Sequence, residues 1–254
     1  MSLVLRSLAL ITGSALALSA CGDNASNAAP TSSAAKTTVT TTTAAKPAAT
    51  RDWLQTVVAT PEGGFRQGNP DAKVKLLEFG SLTCSHCAAF AHEGVPTLRS
   101  QYIASGKLSY EYRPFLLNGV DFAPSLLVRC QSPATAFQLI DAFYDQQASW
   151  TVPFTKPLPD DVQKRLATLP QEQQVTEFAA QGGLDAFMRT RGMTRAKFDQ
   201  CTSDKAGIAK LTAIRDDANT NYHLTGTPMF AINGKTQTDV ANWAKLKPAL
   251  DVAL

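Results

Sequence analysis

Long apolar runs are missing from this chain of 254 residues, and so is any strong excess of charge of one sign. The longest candidate run, residues 7–20, is broken by Ser, Thr and Gly and falls short of the roughly twenty residues that a permanent membrane helix needs. A net charge of +3 is too mild to argue for nucleic acid as a partner or for strong steering of anions. Residues 24–50 lack large apolar side chains except Val39; such a segment cannot bury enough surface to offset the entropy of ordering and reads as a disordered tether. No internal repeat interrupts the remaining chain. Histidine is scarce, at three residues, and cysteine numbers five.

What is present begins with a short basic start and the run at 7–20, which together read as a secretory signal peptide over residues 1–20. Residues 51–254 are long enough for one domain carrying an insertion. Positions 73–79 form a mostly apolar run between Asp71 and Gly80, suited to a buried strand of a parallel sheet. Ala88, Phe90, Ala91, Val95, Leu98 and Tyr102 then recur at helical spacing, with Pro96 expected to kink the helix. Alternation of Leu108, Tyr110 and Tyr112 predicts a second strand over 108–115, completing a βαβ unit. Helical periodicity with Pro and Gly breaks fills 123–222. A strand pattern returns at Met229–Ile232, followed by Asn233-Gly234, the dipeptide most typical of a two-residue hairpin turn. Asp239 is the expected N-cap of a last helix whose apolar side includes Val240, Trp243, Leu246 and Leu250. The fold class is therefore α/β: a sheet domain in two parts, 51–122 and 223–254, with an all-helical insertion at 123–222.

Cys84-Ser85-His86-Cys87 carries the chemistry. A CxxC pair serves zinc knuckles, haem attachment and redox centres alike. Position 88 is Ala where haem attachment needs His, and no second pair of ligands follows at short spacing for zinc. A dithiol opening a helix after a buried strand remains, in a chain bound for an oxidising compartment. Cys84 is expected near the helix N-cap, where unpaired amides and the helix dipole favour a thiolate; His86 would add a hydrogen bond or a positive charge. Both effects lower the Cys84 pKa and stabilise the reduced form, which makes the disulfide an oxidant. Cys87, one turn on, is the expected buried resolving thiol, and no cofactor is called for. His92 and His223 are expected at surface or helix-end positions.

Two resemblances add to this reading. Leu18-Ser19-Ala20-Cys21 resembles the bacterial lipobox, which implies cleavage before Cys21, a lipid on that thiol, and a lipid-anchored protein on the periplasmic face of a bacterial membrane; an ordinary signal peptide is the alternative. Leu77-Glu78-Phe79, Cys84-Ser85-His86-Cys87, Tyr112-Arg113-Pro114-Phe115 and Gly226-Thr227-Pro228-Met229-Phe230 resemble the DsbA-like branch of the thioredoxin superfamily. That resemblance implies a thioredoxin-like fold, a cis-proline at Pro228 facing the disulfide, a Thr227 backbone offered to an extended substrate, and a buried acid at Glu78 that moves protons to and from the resolving thiol. It also implies pairing of Cys130 with Cys201 as a structural disulfide, two buried free thiols being the alternative. The implied activity is disulfide formation in reduced exported client proteins by a monomer, with a DsbB-like membrane oxidase regenerating Cys84–Cys87. Ser85 and Thr227 depart from the most oxidising members, so a reductase or isomerase of the same fold is the competing reading, and a lipoprotein that only binds clients or metal is the third.

Overall fold

The computed structural model describes residues 51–254; the expected signal peptide at 1–20, Cys21 and the expected tether to residue 50 lie outside the described residues. Six strands form one sheet in the order β1-β2-β4-β3-β5-β6, with β1 at Val57–Ala59, β2 at Phe65–Gly68, β3 at Val74–Gly80, β4 at Leu108–Pro114, β5 at Met229–Ile232 and β6 at Lys235–Thr236. Only β3 and β4 pair in parallel; every other neighbour is antiparallel. β3 is the strand through which the site is built. It is buried along its length except at Lys75, because both its faces are covered, and this is why it reads as an apolar run and not as an alternating one. Strands β1 and β2 were not anticipated from the sequence: they are short, and their register is set by the pairing of β2 with β4 and of β1 with β2 more than by any apolar alternation.

Helix α1, Ser85–Glu93, follows β3 after a four-residue loop. It ends at Gly94, where a Cβ would press to within 2.9 Å of both the Phe90 and Trp243 rings. The chain then restarts as a short turn, α2 at Val95–Thr97, with Pro96 in its first turn, and continues in wide π-type turns over Leu98–Ile103. Pro96 thus costs no hydrogen bond: the break precedes it, and it occupies a position whose amide would be free anyway. Phe90 of α1 packs edge-on against Phe230 of β5 at 4.7 Å and is 1% exposed, which fixes α1 on the sheet.

Between β4 and β5 the chain is helical: α3 at Phe122–Arg129, α4 at Pro133–Asp145, α5 at Gln147–Trp150, α6 at Asp160–Ala167, α7 at Gln171–Gln181, α8 at Leu184–Arg189, α9 at Arg195–Thr202 and α10 at Lys205–Asn221. Cys130, the C-cap of α3, is bonded to Cys201 in α9, with Cα atoms 5.7 Å apart. After β5, Asn233 and Gly234 take φ of 50° and 79°, the left-handed pair that a tight hairpin needs. The last helix, α11 at Trp243–Ala253, corrects the sequence reading. Its N-cap is Asn242, whose side chain accepts from the Lys245 amide, while Asp239 sits three residues upstream with φ of 62°.

Candidate active site

Cys84 is the N-cap of α1, with extended backbone angles, and no side chain caps that helix. The first amides of α1 are therefore free to act on the Cys84 sulfur itself. The thiol is held well below its ordinary range, at about 5. The largest cause is the Cys87 thiol donating to the sulfur. The Thr227 hydroxyl and the backbone N–H groups of Cys87 and His86 act in the same direction, against partial burial. Cys87 is fully enclosed, and its thiol is pushed well above its ordinary value by burial, with the neighbouring Cys84 and Glu78 adding to the shift. Two thiols three residues apart are thereby split into one thiolate and one thiol at neutral pH.

The Thr227–Pro228 peptide bond is cis, and the Thr227 carbonyl accepts from the Cys84 thiol at 3.3 Å. The Thr227 hydroxyl is buried beside it without a hydrogen-bond partner. This segment leads directly into β5, which pairs with β3 through Glu78 opposite Phe230. The same strand pairing thus brings Thr227, Pro228 and the CxxC together across about 140 residues of chain. Glu78 is 1% exposed and takes a hydrogen bond from the Tyr110 hydroxyl of β4. Burial raises its carboxyl to about 8, the Tyr110 bond opposing and the nearby Cys84 adding to the rise. Gly80 makes this packing possible: a Cβ there would lie 2.5 Å from the Tyr112 ring and 2.8 Å from a Glu78 carboxyl oxygen.

A raised carboxyl pKa is a stability statement. The folded protein binds the Glu78 proton more tightly than the unfolded chain, so the stability this group contributes is complete below about pH 4.5 and is lost as pH rises through about 8. Glu78→Gln lacks that slope. In urea titrations of the oxidised protein, the variant is expected to gain on the wild type by a few kcal/mol between pH 4.5 and 8, with no further gain above. Parallel curves across that range would mean that Glu78 is an ordinary solvated acid.

Among the residues the sequence singled out, His86 needs correction. Its side chain is exposed, and the contribution to Cys84 comes from its backbone N–H and not from the imidazole. Ser85 is exposed at the first position of α1 and puts no side-chain bond on either sulfur. His92 faces Asp145 of α4 at 3.5 Å, and His223 lies just beyond α10; neither reaches the thiols. Two residues that the sequence did not announce hold the loop before Cys84. Asp121, completely buried, accepts from the Ser81 and Thr83 hydroxyls and from the amides of Thr83, Leu117 and Asn118. Gln147, at the start of α5, donates to the carbonyls of both Leu82 and Cys84. Each is distant in sequence from the loop it holds, and the only local trace is the Asn118-to-Asp121 capping box.

Comparison with known proteins agrees with this geometry. Residues 60–252 match the family described as Thioredoxin. A protein-disulfide isomerase from Novosphingobium aromaticivorans has a solved structure that superposes with a TM-score of 0.70 at 33% identity, over 74% of this chain and 95% of that one. A Rickettsia bellii protein, named as a candidate protein-disulfide oxidoreductase, is 28% identical over 193 residues, 74% of this chain. The chain spans 63% of that relative's length. The solved structure of Wolbachia pipientis alpha-DsbA1, at 22% identity and a TM-score of 0.56 over 75% of this chain and 88% of that one, shares the fold. With the CxxC at the start of α1, the cis-proline before β5 and the helices inserted between β4 and β5, the chain belongs to the thioredoxin family.

Proposed function

We propose that this chain is a thiol-disulfide oxidoreductase that passes the Cys84–Cys87 disulfide to reduced thiols of exported proteins. The observation that carries the reading is the split between the two thiols, Cys84 held at about 5 and Cys87 pushed far above it. A client thiolate attacks the Cys84 sulfur; the Cys84–Cys87 bond breaks, and its electron pair leaves on Cys87, which takes a proton from Glu78. A second client thiolate then attacks the client sulfur of the mixed disulfide, and Cys84 departs as a thiolate. The client has passed two electrons to the dithiol and lost two protons to solvent; the dithiol keeps one proton, on Cys87 through Glu78, because Cys84 stays a thiolate. A low Cys84 pKa makes it a good leaving group and stabilises the reduced form, which favours oxidation of the client.

A reductase or isomerase of the same fold is the second reading. It is favoured by Thr227 before the cis-proline and by the isomerase name of the Novosphingobium relative. Equilibration with glutathione separates the two. The oxidase reading expects a reduction potential near that of the strongest oxidants of this kind, about −120 mV, and a value near about −270 mV, typical of a reducing dithiol, overturns it.

The setting we propose is the periplasmic face of a bacterial membrane, with the chain exported, anchored through a lipid on Cys21, and reoxidised by a DsbB-like membrane oxidase. What supports it is the apolar run ending in Leu18-Ser19-Ala20-Cys21. Labelled palmitate is expected in the wild type and not in Cys21→Ala; equal labelling of both removes the anchor.

A further inference from the structure

Glu78 is the carboxyl that acts on the resolving thiol, and its two oxygens are not equivalent. Oε2 accepts from the Tyr110 hydroxyl, while Oε1 is buried with no hydrogen-bond partner at all. The groups that face this carboxyl come from every element around it. Cys84 caps α1 and Cys87 lies on it, Tyr110 and Tyr112 are on β4, Tyr144 and Asp141 on α4, and Arg99 on the π-type turns after α2. Tyr112 and Tyr144 spend their hydroxyls elsewhere, on each other and on the carbonyls of Gly80 and Ser81. Tyr110 is thus the one hydroxyl bonded to Glu78 among the described residues. Behind Glu78 lies a cavity of about 10 Å³, bounded by Tyr110, Ala91 and the Arg99–Asp141 ion pair. That volume is at the lower limit of what one water molecule needs. The ion pair is bidentate, at 2.6 and 3.2 Å, and both partners are partly exposed, so it forms the outer wall toward solvent.

We propose that Tyr110 is a positioning residue for the proton transfer at Cys87: it clamps Glu78 through Oε2, leaves Oε1 as the oxygen that exchanges the proton, and stands beside a water-sized cavity walled by Arg99 and Asp141. The inference rests on the oxidoreductase reading and adds to it the group that sets the acid. The reaction is balanced. When Cys87 attacks a mixed disulfide on Cys84, its proton goes to the Glu78 carboxylate and the bond to the departing thiolate breaks. When Cys87 is the leaving thiolate, the proton returns. Removing the Tyr110 donor withdraws a bond that favours the carboxylate form, so Glu78 becomes harder to ionise.

The test is the rate at which Cys87 resolves the Cys84–glutathione mixed disulfide, followed by rapid quenching across pH. Tyr110→Phe is expected to move the midpoint of that profile upward by about one pH unit and to slow resolution about tenfold at neutral pH. Tyr112→Phe, which deletes a buried hydroxyl without touching Glu78, is expected to lower stability and leave the midpoint in place. Coincident profiles for Tyr110→Phe and wild type, or an equal shift in Tyr112→Phe, overturn the proposal. The wild type supplies a measurement that does not depend on the variant folding: a downfield tyrosine hydroxyl proton in NMR, moving with the same midpoint as the resolution rate. Its failure to move with that rate also overturns the proposal. A wild type that neither forms nor resolves the mixed disulfide fails the functional reading itself, which is a different result from an unshifted profile.

Discussion

Replacing Cys84 with Ser is expected to lower oxidation of a reduced client protein by on the order of a thousandfold or more, to the uncatalysed background. Serine at the same N-cap would meet the same amides and the same Thr227 carbonyl, but a hydroxyl does not become a nucleophile or a leaving group in the range where a thiol held at about 5 does. Cys87→Ala is expected to fail differently. Its Cys84 can still attack a client disulfide, but no internal thiol is left to resolve the product, so mixed disulfides should accumulate and be visible by mass spectrometry under non-reducing conditions. The same substitution removes the largest of the bonds that stabilise the Cys84 thiolate, so the pH midpoint for alkylation of Cys84 should rise from about 5 toward its ordinary value. Both variants keep the core, since Cys84 and Cys87 supply little of its volume. If Cys84→Ser kept client oxidation to within about tenfold of wild type, exchange at this centre would not be the activity, and a protein that only binds its clients would be the better reading.

How much of this was legible in the sequence depended on how local each interaction is. The strand before the CxxC, the helix after it and the hairpin at Asn233-Gly234 are set by contiguous residues and were readable as such. Glu78 is a case where the surroundings decide. An acid two residues before the end of a strand is ambiguous from composition alone, and only the covering of both sheet faces turns it into an acid at about 8. The residues that were missed act across the chain. Tyr110 reads as one apolar position of an alternating strand, and nothing local says that its hydroxyl ends on Glu78, 32 residues earlier. Gln147 reads as the end of one helix, yet it starts another and holds the loop before Cys84, 63 residues away. His86 was overread for the opposite reason. Its position between the cysteines is local, but at the first turn of a helix the side chain turns outward while the amide turns in. Asp239 was overread as a cap because Asp and Asn share the chemistry, and Asn242 stands where the chain enters α11.

The second large effect concerns stability. Cys130 and Cys201 are separated by 71 residues, and closing a loop of that length stabilises by about 4 kcal/mol in the chain-entropy account. The Cys130→Ala, Cys201→Ala double variant is therefore expected to unfold at lower denaturant, with a melting temperature lower by roughly 10 °C for a domain of this size. The loss should be unevenly distributed. The bridge ties the end of α3 to α9, so the closed loop contains α4 to α8 and none of the sheet. The pairing of β3 with β4 and β5, which positions Cys84, Thr227 and Glu78, does not pass through it. Hydrogen exchange should accordingly rise first in α6 to α9, while exchange activity at low temperature stays near that of the wild type. Gln147 is the link by which damage could spread, since it anchors the Cys84 loop from inside the bridged segment. Activity that falls in step with protection of α5, below the melting transition, would mean that the bridge holds the active-site loop as well as the helices. An unchanged melting temperature, or alkylation of both cysteines in the unreduced wild type, would remove the bridge from the stability account altogether.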